Sequence, residues 1–296
     1  MTVRTISDEL KQKYGGKVLK LSLSSGCTCP NRDGTLGYGG CSFCSEGGSG
    51  EFAAPPAPVE EQIREAKKRV DHKFPASMPE SERKYIAYFQ AFTNTYAPAA
   101  VLEPLYKEVI SRPEIVILSI GTRPDCISEE ILAMLVRLNS KKPVWVELGL
   151  QTIHDPTAEA FNRCCSLKVF EDTYRRLKDA GLTVIIHVIL GLPGETREDM
   201  LSTVRYLAEL DPPPDGIKLQ MLQILRGTRM AEEWTREPFP LLTMEEYTDL
   251  VIDCVKLLPE STVIHRLTGD PPRKLLIAPR WTTDKKRVLN MLKEKL

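Results

Sequence analysis

The chain has 296 residues, of which 42% are hydrophobic and 27% are charged, and its 40 basic residues are balanced by 40 acidic ones. This length suits one large α/β domain, the composition excludes a globally disordered chain, and the zero net charge excludes a general electrostatic attraction to nucleic acids. The N-terminal stretch lacks the apolar core of a secretory signal, and no apolar run is long enough to cross a bilayer. We therefore expect a cytoplasmic protein without membrane contact, whose eight cysteines stay reduced as metal ligands or small buried residues.

Apolar segments rich in β-branched residues alternate with segments of helical periodicity along most of the chain. Strands are predicted at residues 18–24, 84–91, 114–121, 144–151, 183–191 and 216–225. Helices are predicted at residues 59–72, 98–111, 128–139, 155–180, 195–210, 228–236 and 243–258. Continuous apolar strands that are each followed by a helix indicate a parallel sheet covered on both faces, either an open doubly wound sheet or an incomplete α/β barrel. In both folds, the chemistry belongs at the carboxyl ends of the strands.

The charges are not evenly distributed, because residues 262–296 hold nine lysines and arginines but three acidic residues. A basic segment of this kind is typical of a surface that binds a polyanion, and it is also typical of a solvated helix face. Composition alone favours the solvated helix face.

The first predicted strand is followed by CPNRDGTLGYGGCSFC, residues 29–44, in which Cys29, Cys41 and Cys44 enclose a glycine-rich loop. With Cys27 just upstream, four thiolates could hold a structural zinc ion, although the Cys27-x-Cys29 spacing is tight for the usual ligand pairs. Three thiolates could instead hold a [4Fe–4S] cluster and leave one iron free for a further ligand. The position of the loop after a strand, and the glycines that let backbone approach a ligand closely, favour the cluster.

Seven ordered blocks between about residues 14 and 281 carry a resemblance to a known family. They are CPNRDG (29–34), GGCSFC (39–44), YFQAFTNTYAP (88–98), GTRPDC (121–126), ELGLQT (147–152), HVILGLPGET (187–196) and HRLTGD (265–270). The sequence resembles the radical S-adenosylmethionine (SAM) superfamily, although eleven and then two residues separate its cysteines where three and then two are usual. Within that superfamily it is similar to the subgroup of the Elongator catalytic subunit, and most similar to bacterial MnmL-type enzymes that act on the wobble uridine of tRNA. The resemblance implies an α/β fold, an incomplete (β/α)6 TIM-like barrel at residues 1–240 with a short helical and basic C-terminal extension at residues 241–296 packed on it.

The resemblance also implies a [4Fe–4S] cluster and SAM as cofactors, and it assigns residues to each of them. Cys29, Cys41 and Cys44 are implied as the cluster ligands, which leaves Cys27 outside the set. Phe43 is implied to lie against the SAM adenine. The other implied SAM-binding residues are Gln90, Thr93 and Asn94 for the amino group, Glu147 and Gln151 near the ribose and carboxylate, and Ile189 and Gly191 in the adenine-binding strand.

Three further residues are implied as catalytic or substrate-side residues. Arg123 and Asp125 lie in an RPD loop, and Arg123 is expected to hold a substrate carboxylate with its two-pronged guanidinium. His187 replaces the first glycine of the family's adenine-binding motif. From the residues alone, Glu147 could equally be a charge paired inside the barrel, and His187 could be a hydrogen-bonded core histidine. Cys126, near a loop end, could be a buried or an active-site thiol.

By this resemblance, the implied reaction converts 5-carboxymethylaminomethyl-uridine into 5-aminomethyl-uridine at the tRNA wobble position through a 5′-deoxyadenosyl radical. The implied partners are the tRNA anticodon loop, an external electron donor such as flavodoxin or ferredoxin, and a methyltransferase that acts on the product. Residues 271–296 are too few for the acetyltransferase domain of Elongator, so that activity is not expected. Two alternatives stay open, namely a radical SAM enzyme for a small metabolite and a zinc-stabilised tRNA-binding protein without radical chemistry.

Overall fold

The computed structural model describes residues 3–295, which contain nine strands and ten α-helices. The strands are β1 (Val18–Leu23), β2 (Lys84–Phe89), β3 (Ile115–Thr122), β4 (Val144–Gln151), β5 (Thr183–Leu190), β6 (Gly216–Met221), β7 (Ile224–Leu225), β8 (Val263–Arg266) and β9 (Leu276–Ala278). The helices are α1 (Ile6–Tyr14), α2 (Val59–Val70), α3 (Ala99–Ser111), α4 (Glu129–Asn139), α5 (Asp155–Ala160), α6 (Leu167–Asp179), α7 (Arg197–Ala208), α8 (Arg229–Arg236), α9 (Met244–Leu257) and α10 (Lys285–Lys295).

Seven of the strands form one parallel sheet in the order β1-β2-β3-β4-β5-β6-β8, and this sheet curls into a half-barrel. The predicted α/β fold of an incomplete barrel is therefore confirmed, with one strand more than the six expected. The extra strand, β8, pairs with β6 at the sheet edge, and its four residues VIHR are too short and too polar to be recognised as an apolar run. The predicted division into two domains at residue 240 stays a prediction.

The predicted strand 216–225 is interrupted, because the parallel pairing of β6 ends at Met221. The next residues form β7, which pairs antiparallel with β9 in a separate two-stranded sheet. The chain therefore leaves the barrel wall at its carboxyl end, where the backbone N–H of Leu222 still donates to the carbonyl of Leu190 at 2.9 Å.

Side-chain caps explain where several helices begin. Ser128 accepts a hydrogen bond from the backbone of Ile131 at the start of α4, as its sequence position predicts. Thr196 and Thr243 each form a reciprocal capping box at the starts of α7 and α9. The sequence analysis did not identify α1, which begins after Thr5 and ends at Gly15 in a left-handed conformation (φ 76°).

The helical region predicted at residues 155–180 is two helices, α5 and α6, because residues 161–166 leave the helical path. Asn162 and Cys164 have φ values of 63° and 54°, which a right-handed helix cannot accommodate. Between them, the buried Arg163 donates to the carbonyls of Leu150 and Thr152, both at 2.7 Å. The break therefore fixes the turn that follows β4.

The two faces of the sheet have different environments, because successive side chains of a strand point to opposite sides. In β4, Val146, Leu148 and Leu150 belong to the apolar core that packs under the outer helices. Glu147 and Gly149 line a cavity on the inner face. Among residues 3–295, no helix is both long and apolar enough to span a membrane.

Candidate active site

A cavity of about 1140 Å³ fills the inner side of the half-barrel. All seven strands of the parallel sheet contribute to its wall, and the cysteine loop covers one side of it. The predicted site residues on this wall are Cys29, Cys41, Phe43, Cys44, Gln90, Thr93, Arg123, Glu147, Gln151, His187 and Ile189. The fold therefore brings together eleven residues that are far apart in the sequence.

Cys29, Cys41 and Cys44 of the cysteine loop lie on the cavity wall, and Cys165 also lines it. The backbone N–H of Cys44 donates to the carbonyl of Cys41 at 2.9 Å, so the second pair forms a tight turn. Burial raises the pKa of Cys41 to about 12, and the neighbouring Cys44 and Cys29 add to this effect. Cys27 is not on the wall of this cavity, and its side chain packs against the apolar core instead.

The cysteine loop is held in place by Arg32 and by the non-helical segment after α5. Arg32 Nη2 donates to the carbonyl of Cys44 at 2.9 Å, and its guanidinium lies 5.5 Å from the ring centre of Phe92. The backbone N–H of Ser42 donates to the carbonyl of Phe161 at 2.9 Å. Gly40 has a φ of 81°, and a Cβ there would lie 2.7 Å from Arg32 Nε. The loop conformation therefore depends on a glycine at this position.

Four of the residues that were predicted to bind SAM continue the wall beside the cysteines. Phe43 packs on Phe161 with ring centres 5.2 Å apart. Gln90 Nε2 donates to the carbonyl of Ser49 at 2.7 Å, which ties the end of β2 to the cysteine loop. Gln151, at the end of β4, has a φ of 66°, and Ile189 belongs to the inner face of β5. This part of the wall therefore offers both apolar and amide groups.

Three predicted residues lie outside the wall of this cavity. Asn94 is fully buried, and its side-chain amide donates to the carbonyls of Phe89 at 3.1 Å and Gly121 at 2.9 Å, so it joins the ends of β2 and β3. Gly191 has a φ of 88° in the turn after β5. Asp125 lines a separate cavity of about 830 Å³ and accepts two hydrogen bonds from Arg123, at 2.9 and 2.8 Å. The guanidinium fork of Arg123 is therefore already occupied by a carboxylate.

Polar side chains form a layer across the inside of the barrel, one from each strand of the parallel sheet. This inner charged layer consists of Lys20, Tyr88, Ser119, Glu147, His187, Lys218 and Arg266. Glu147 is its centre, since it accepts hydrogen bonds from Lys20 Nζ at 3.0 Å, Ser119 Oγ at 2.8 Å and His187 Nε2 at 2.8 Å, and it also contacts Lys218 Nζ. The sequence left open whether Glu147 is a paired charge, and in the structure it is paired.

The electrostatics of this layer follow from its burial and its charges. Burial alone would raise the pKa of Glu147, but Lys20, Lys218 and His187 together hold that pKa well below its usual range. Burial and the positive charge of Lys218 lower the pKa of His187 to about 4, although its hydrogen bond to Glu147 acts in the opposite direction. Glu147 is therefore ionised at pH 7, and His187 is a neutral hydrogen-bonded histidine.

Comparison with known proteins identifies the family. The profile of the Radical SAM superfamily matches residues 25–207, which contain the cysteine loop and the strands β2 to β5. This chain belongs to the radical SAM superfamily. The profile of the Radical_SAM C-terminal domain matches residues 214–296, which contain β6 to β9.

The chain is similar in sequence to several known proteins. The chain is 39% identical over 293 residues to the uncharacterized protein YtqA of Bacillus subtilis, covering 99% of this chain and 88% of YtqA. It is 28% identical over 205 residues to Elongator complex protein 3 of Schizosaccharomyces pombe, covering 68% and 37% of the two chains. It is 28% identical over 163 residues to the tRNA uridine(34) acetyltransferase of Methanocaldococcus infernus, covering 55% and 30%. These comparisons confirm Elongator-like relatives at modest identity, but they do not confirm the MnmL-type subgroup.

A solved structure shares the fold. The archaeal Elp3 of Methanocaldococcus infernus, with residues 1–46 deleted, superimposes with a TM-score of 0.67 at 18% identity, and covers 94% of this chain and 63% of that chain. At this identity the similarity shows the radical SAM half-barrel and no more. This chain spans less than two thirds of the Elp3 chain.

Radical SAM enzymes bind a [4Fe–4S] cluster and SAM, and the chemistry of this cavity fits both groups. Cys29, Cys41 and Cys44 offer three thiols on one wall, and the volume of about 1140 Å³ exceeds the usual upper range of a single ligand site, roughly 1,000 Å³. Within the described residues, no three His, Cys, Asp or Glu side chains are grouped closely enough to hold one metal ion.

The sequence analysis missed Lys20, Tyr88, Ser119, Lys218 and Arg266. Lys20, Tyr88, Ser119 and Lys218 lie at inward positions of strands that are otherwise largely apolar. Strand periodicity places each of them on one face of the sheet, but it does not show which face surrounds a cavity. The useful signal was a charged or ionisable residue inside a largely apolar strand. Lys20 in VLKLSL, Glu147 in VWVELGLQ, His187 in TVIIHVIL and Lys218 in GIKLQM share this pattern.

Proposed function

We propose that this radical SAM protein acts on the wobble uridine of tRNA and converts 5-carboxymethylaminomethyl-uridine into 5-aminomethyl-uridine. The observation that carries the proposal is the charge of the cavity, whose wall holds ten lysines and arginines but three acidic residues. A wide, strongly positive cavity suits a polyanionic substrate that places one anionic group inside. Relatives that are named as a tRNA uridine(34) acetyltransferase and as Elongator complex protein 3 support a tRNA substrate.

Under this proposal, Cys29, Cys41 and Cys44 hold the cluster at the mouth of the barrel. When bound, the reduced cluster and SAM would supply the radical that oxidises the methylene beside the substrate carboxylate, with the second electron returning to the cluster, and hydrolysis of the oxidised carbon–nitrogen bond would release the two-carbon fragment as glyoxylate and leave the aminomethyl group. The chain's own residues bind and orient the reactants. Phe43 offers a ring for the adenine, and Gln90, Thr93, Gln151 and Ile189 offer polar and apolar contacts beside it.

The rim of the cavity and the C-terminal helix provide the surface for tRNA phosphates. Arg69, Lys73 and Arg273 lie at the cavity wall together with Lys285, the first residue of α10. Lys286 and Arg287 are exposed on the same helix, so the basic tail that composition alone placed on a solvated helix face adjoins the cavity. A wobble base can leave its unpaired loop at small cost and enter the cavity, while the phosphates stay at the rim.

The tRNA surface is tested by reversing three charges. We expect the triple substitution Lys285→Glu, Lys286→Glu and Arg287→Glu to weaken tRNA binding and to reduce its salt dependence. The matched control reverses Lys168 and Arg175, which are exposed on α6 and are not part of the cavity wall. Equal affinities of the triple variant and the wild type at low salt would remove α10 from the interface.

The reaction is tested by digestion of tRNA to nucleosides and mass spectrometry, after anaerobic incubation with enzyme, SAM and a reductant. The electron donor is proposed to be a flavodoxin or ferredoxin, and a chemical reductant can replace it in this assay. We expect the carboxymethylaminomethyl nucleoside to decrease as the aminomethyl nucleoside, the substrate for a following methyltransferase, increases. SAM cleavage with an unchanged carboxymethylaminomethyl nucleoside would contradict the substrate assignment.

A further inference from the structure

We propose that Lys20, Lys218 and Arg266 of the inner charged layer form a binding site for the carboxylate of the substrate. This inference rests on the proposed function and deepens it, because it names the groups that recognise the part of the modified base that is removed. All three residues line the cavity, and they come from β1, β6 and β8. The three side chains therefore come together only because the sheet curls and brings its first strand near its last.

The two lysines are held in one place by the same partners. Lys20 Nζ and Lys218 Nζ each lie 4.6 Å from the ring centre of Tyr88, and both contact the carboxylate of Glu147. Lys218 Nζ also donates to the Tyr88 hydroxyl at 3.2 Å. Two ammonium groups thus share one carboxylate and one aromatic ring, which is a fixed arrangement that needs no ordering when a ligand arrives.

Arg266 is the third cation and is weakly paired. Its Nη1 donates to Oε1 of Gln220 at 3.2 Å, and its Nη2 lies 3.7 Å from Asp270. Asp270 accepts shorter hydrogen bonds from Lys285, at 2.8 and 2.9 Å, so its charge is mainly compensated by that residue. The guanidinium of Arg266 keeps N–H donors available to a planar anion.

The charges of the layer do not balance. Lys20, Lys218 and Arg266 are three cations, and Glu147 is the single anion of the inner charged layer. His187 is neutral at pH 7, so it does not change the count. Burial lowers the pKa of Lys218, the carboxylate of Glu147 opposes this effect, and the nearby Lys20 and Arg266 lower the pKa further, so an added anion would favour the charged form of Lys218. An excess of positive charge inside a largely buried layer is compensated best by an anionic ligand.

The ligand class follows from position and from geometry. Phosphates of a folded tRNA stay at the rim, and only a group attached to an extruded base reaches the inside of the barrel. Arg123, the residue that the sequence analysis assigned to the substrate carboxylate, has its guanidinium fork taken by Asp125 at 2.9 and 2.8 Å. The side chains of Lys20 and Arg266, which line the cavity, are 29% and 30% exposed, so a ligand can reach their charges.

The experiment uses two small probes that differ only in the group of interest. N-methylglycine has the same N-alkylglycine end as the carboxymethylaminomethyl group, and N-methylglycinamide replaces the carboxylate with an uncharged amide. Ligand-observed NMR titrations measure the dissociation constants of both probes with the anaerobically prepared holoenzyme. The variants are Arg266→Gln, Lys20→Met and the charge-keeping Arg266→Lys. Arg205→Gln, on the exposed face of α7, is the matched control.

We expect the wild type and the Arg205→Gln control to bind N-methylglycine roughly tenfold to a hundredfold more tightly than the amide, the range for one hydrogen-bonded charge pair. Arg266→Gln and Lys20→Met should lose this preference, and Arg266→Lys should keep most of it. Equal binding of the two probes to the wild type, or no saturable binding of N-methylglycine, would overturn the site. The result does not depend on tRNA turnover. A failed nucleoside assay together with an intact probe preference would therefore contradict the proposed reaction but support the carboxylate site.

SAM itself carries a carboxylate, and a second titration separates that source. We expect the dissociation constant of SAM, measured by equilibrium dialysis without other substrate, to be the same in the wild type, Arg266→Gln and Lys20→Met. A tenfold or greater weakening of SAM binding in both variants would mean that the site serves the cofactor, and it would overturn the assignment to the substrate.

Discussion

Replacement of Glu147 by leucine tests whether the inner charged layer is a set of mutually dependent charges. We expect the free energy of unfolding to fall by about 3–5 kcal/mol, the range measured when one partner of a buried ion pair is removed. The cost arises mainly at Lys218, whose side chain is only 3% exposed. Lys20 is 29% exposed and can turn its ammonium group toward solvent. Ser119 and His187 also lose their acceptor, at about 1 kcal/mol each.

Urea unfolding of the holoenzyme at pH 7.5 measures this cost in Glu147→Leu, Lys218→Met, the double variant and the wild type. The double variant should be at least about 1 kcal/mol more stable than Glu147→Leu, because it leaves no unpaired charge at position 218. Glu198→Gln, which removes an exposed partner of Arg205, serves as the control and should leave the unfolding midpoint almost unchanged. A loss below about 1 kcal/mol in Glu147→Leu, or a double variant in which the two single losses simply add, would refute the reasoning.

Three further predictions concern protonation, packing and metal binding. The pKa of His187 is about 4 in the native state, below the unfolded value of 6.5, so the unfolded chain binds more protons than the native chain between these pH values. The free energy of unfolding therefore falls as the pH is lowered through this window. His187→Gln should reduce that loss by about 1–3 kcal/mol in urea unfolding at several pH values. Gly50→Ala places a Cβ 2.7 Å from Cα of Ala91 and should lower the free energy of unfolding by about 1–3 kcal/mol, whereas Gly16→Ala, whose nearest neighbour is 3.9 Å away, should not. Cys27→Ser should keep the iron content and visible absorbance of the anaerobically prepared protein, whereas Cys29→Ser should abolish both, and loss of iron in Cys27→Ser would contradict the three-ligand assignment.

The sequence predicted the barrel well because its strands are continuous apolar runs. In β3, seven of the eight residues are buried, so hydrophobicity alone marks the strand. The caps at Ser128, Thr196 and Thr243 lie within one or two residues of the predicted helix starts, because the capping signal is local. The elements that escaped detection depend on distant contacts instead. Strand β8 forms because Val263 and Ile264 pair with β6, and the four residues VIHR carry no local sequence signal that predicts this pairing.

The residues of the candidate site also fall into those that the sequence could predict and those that it could not. The cysteine loop and the residues beside it on the wall could be predicted, because they lie in contiguous blocks whose spacing carries information. Asn94 belongs to such a block and yet serves the backbone of β2 and β3, since motif position does not reveal which carbonyl a side chain reaches. Lys218 could not be predicted, because its role depends on Glu147, which is 71 residues away in the sequence and shares its layer only after the sheet has curled.

The contribution of the inner charged layer to folding stability does not explain why the layer is present. A buried ion pair is often no more stable than well-packed apolar residues of similar volume, so Glu147 and Lys218 contribute little that leucine and methionine would not. The sequence nevertheless places a polar residue from every strand at this depth, while the opposite faces of the same strands are apolar. We therefore expect the Glu147→Leu, Lys218→Met double variant to fold with a free energy of unfolding about 2 kcal/mol below that of the wild type, because Ser119 and His187 still lose their acceptor, but to lose its preference for N-methylglycine over the amide. That separation of folding from ligand recognition is what a layer retained for binding should show, and a stable double variant with an intact preference would contradict it.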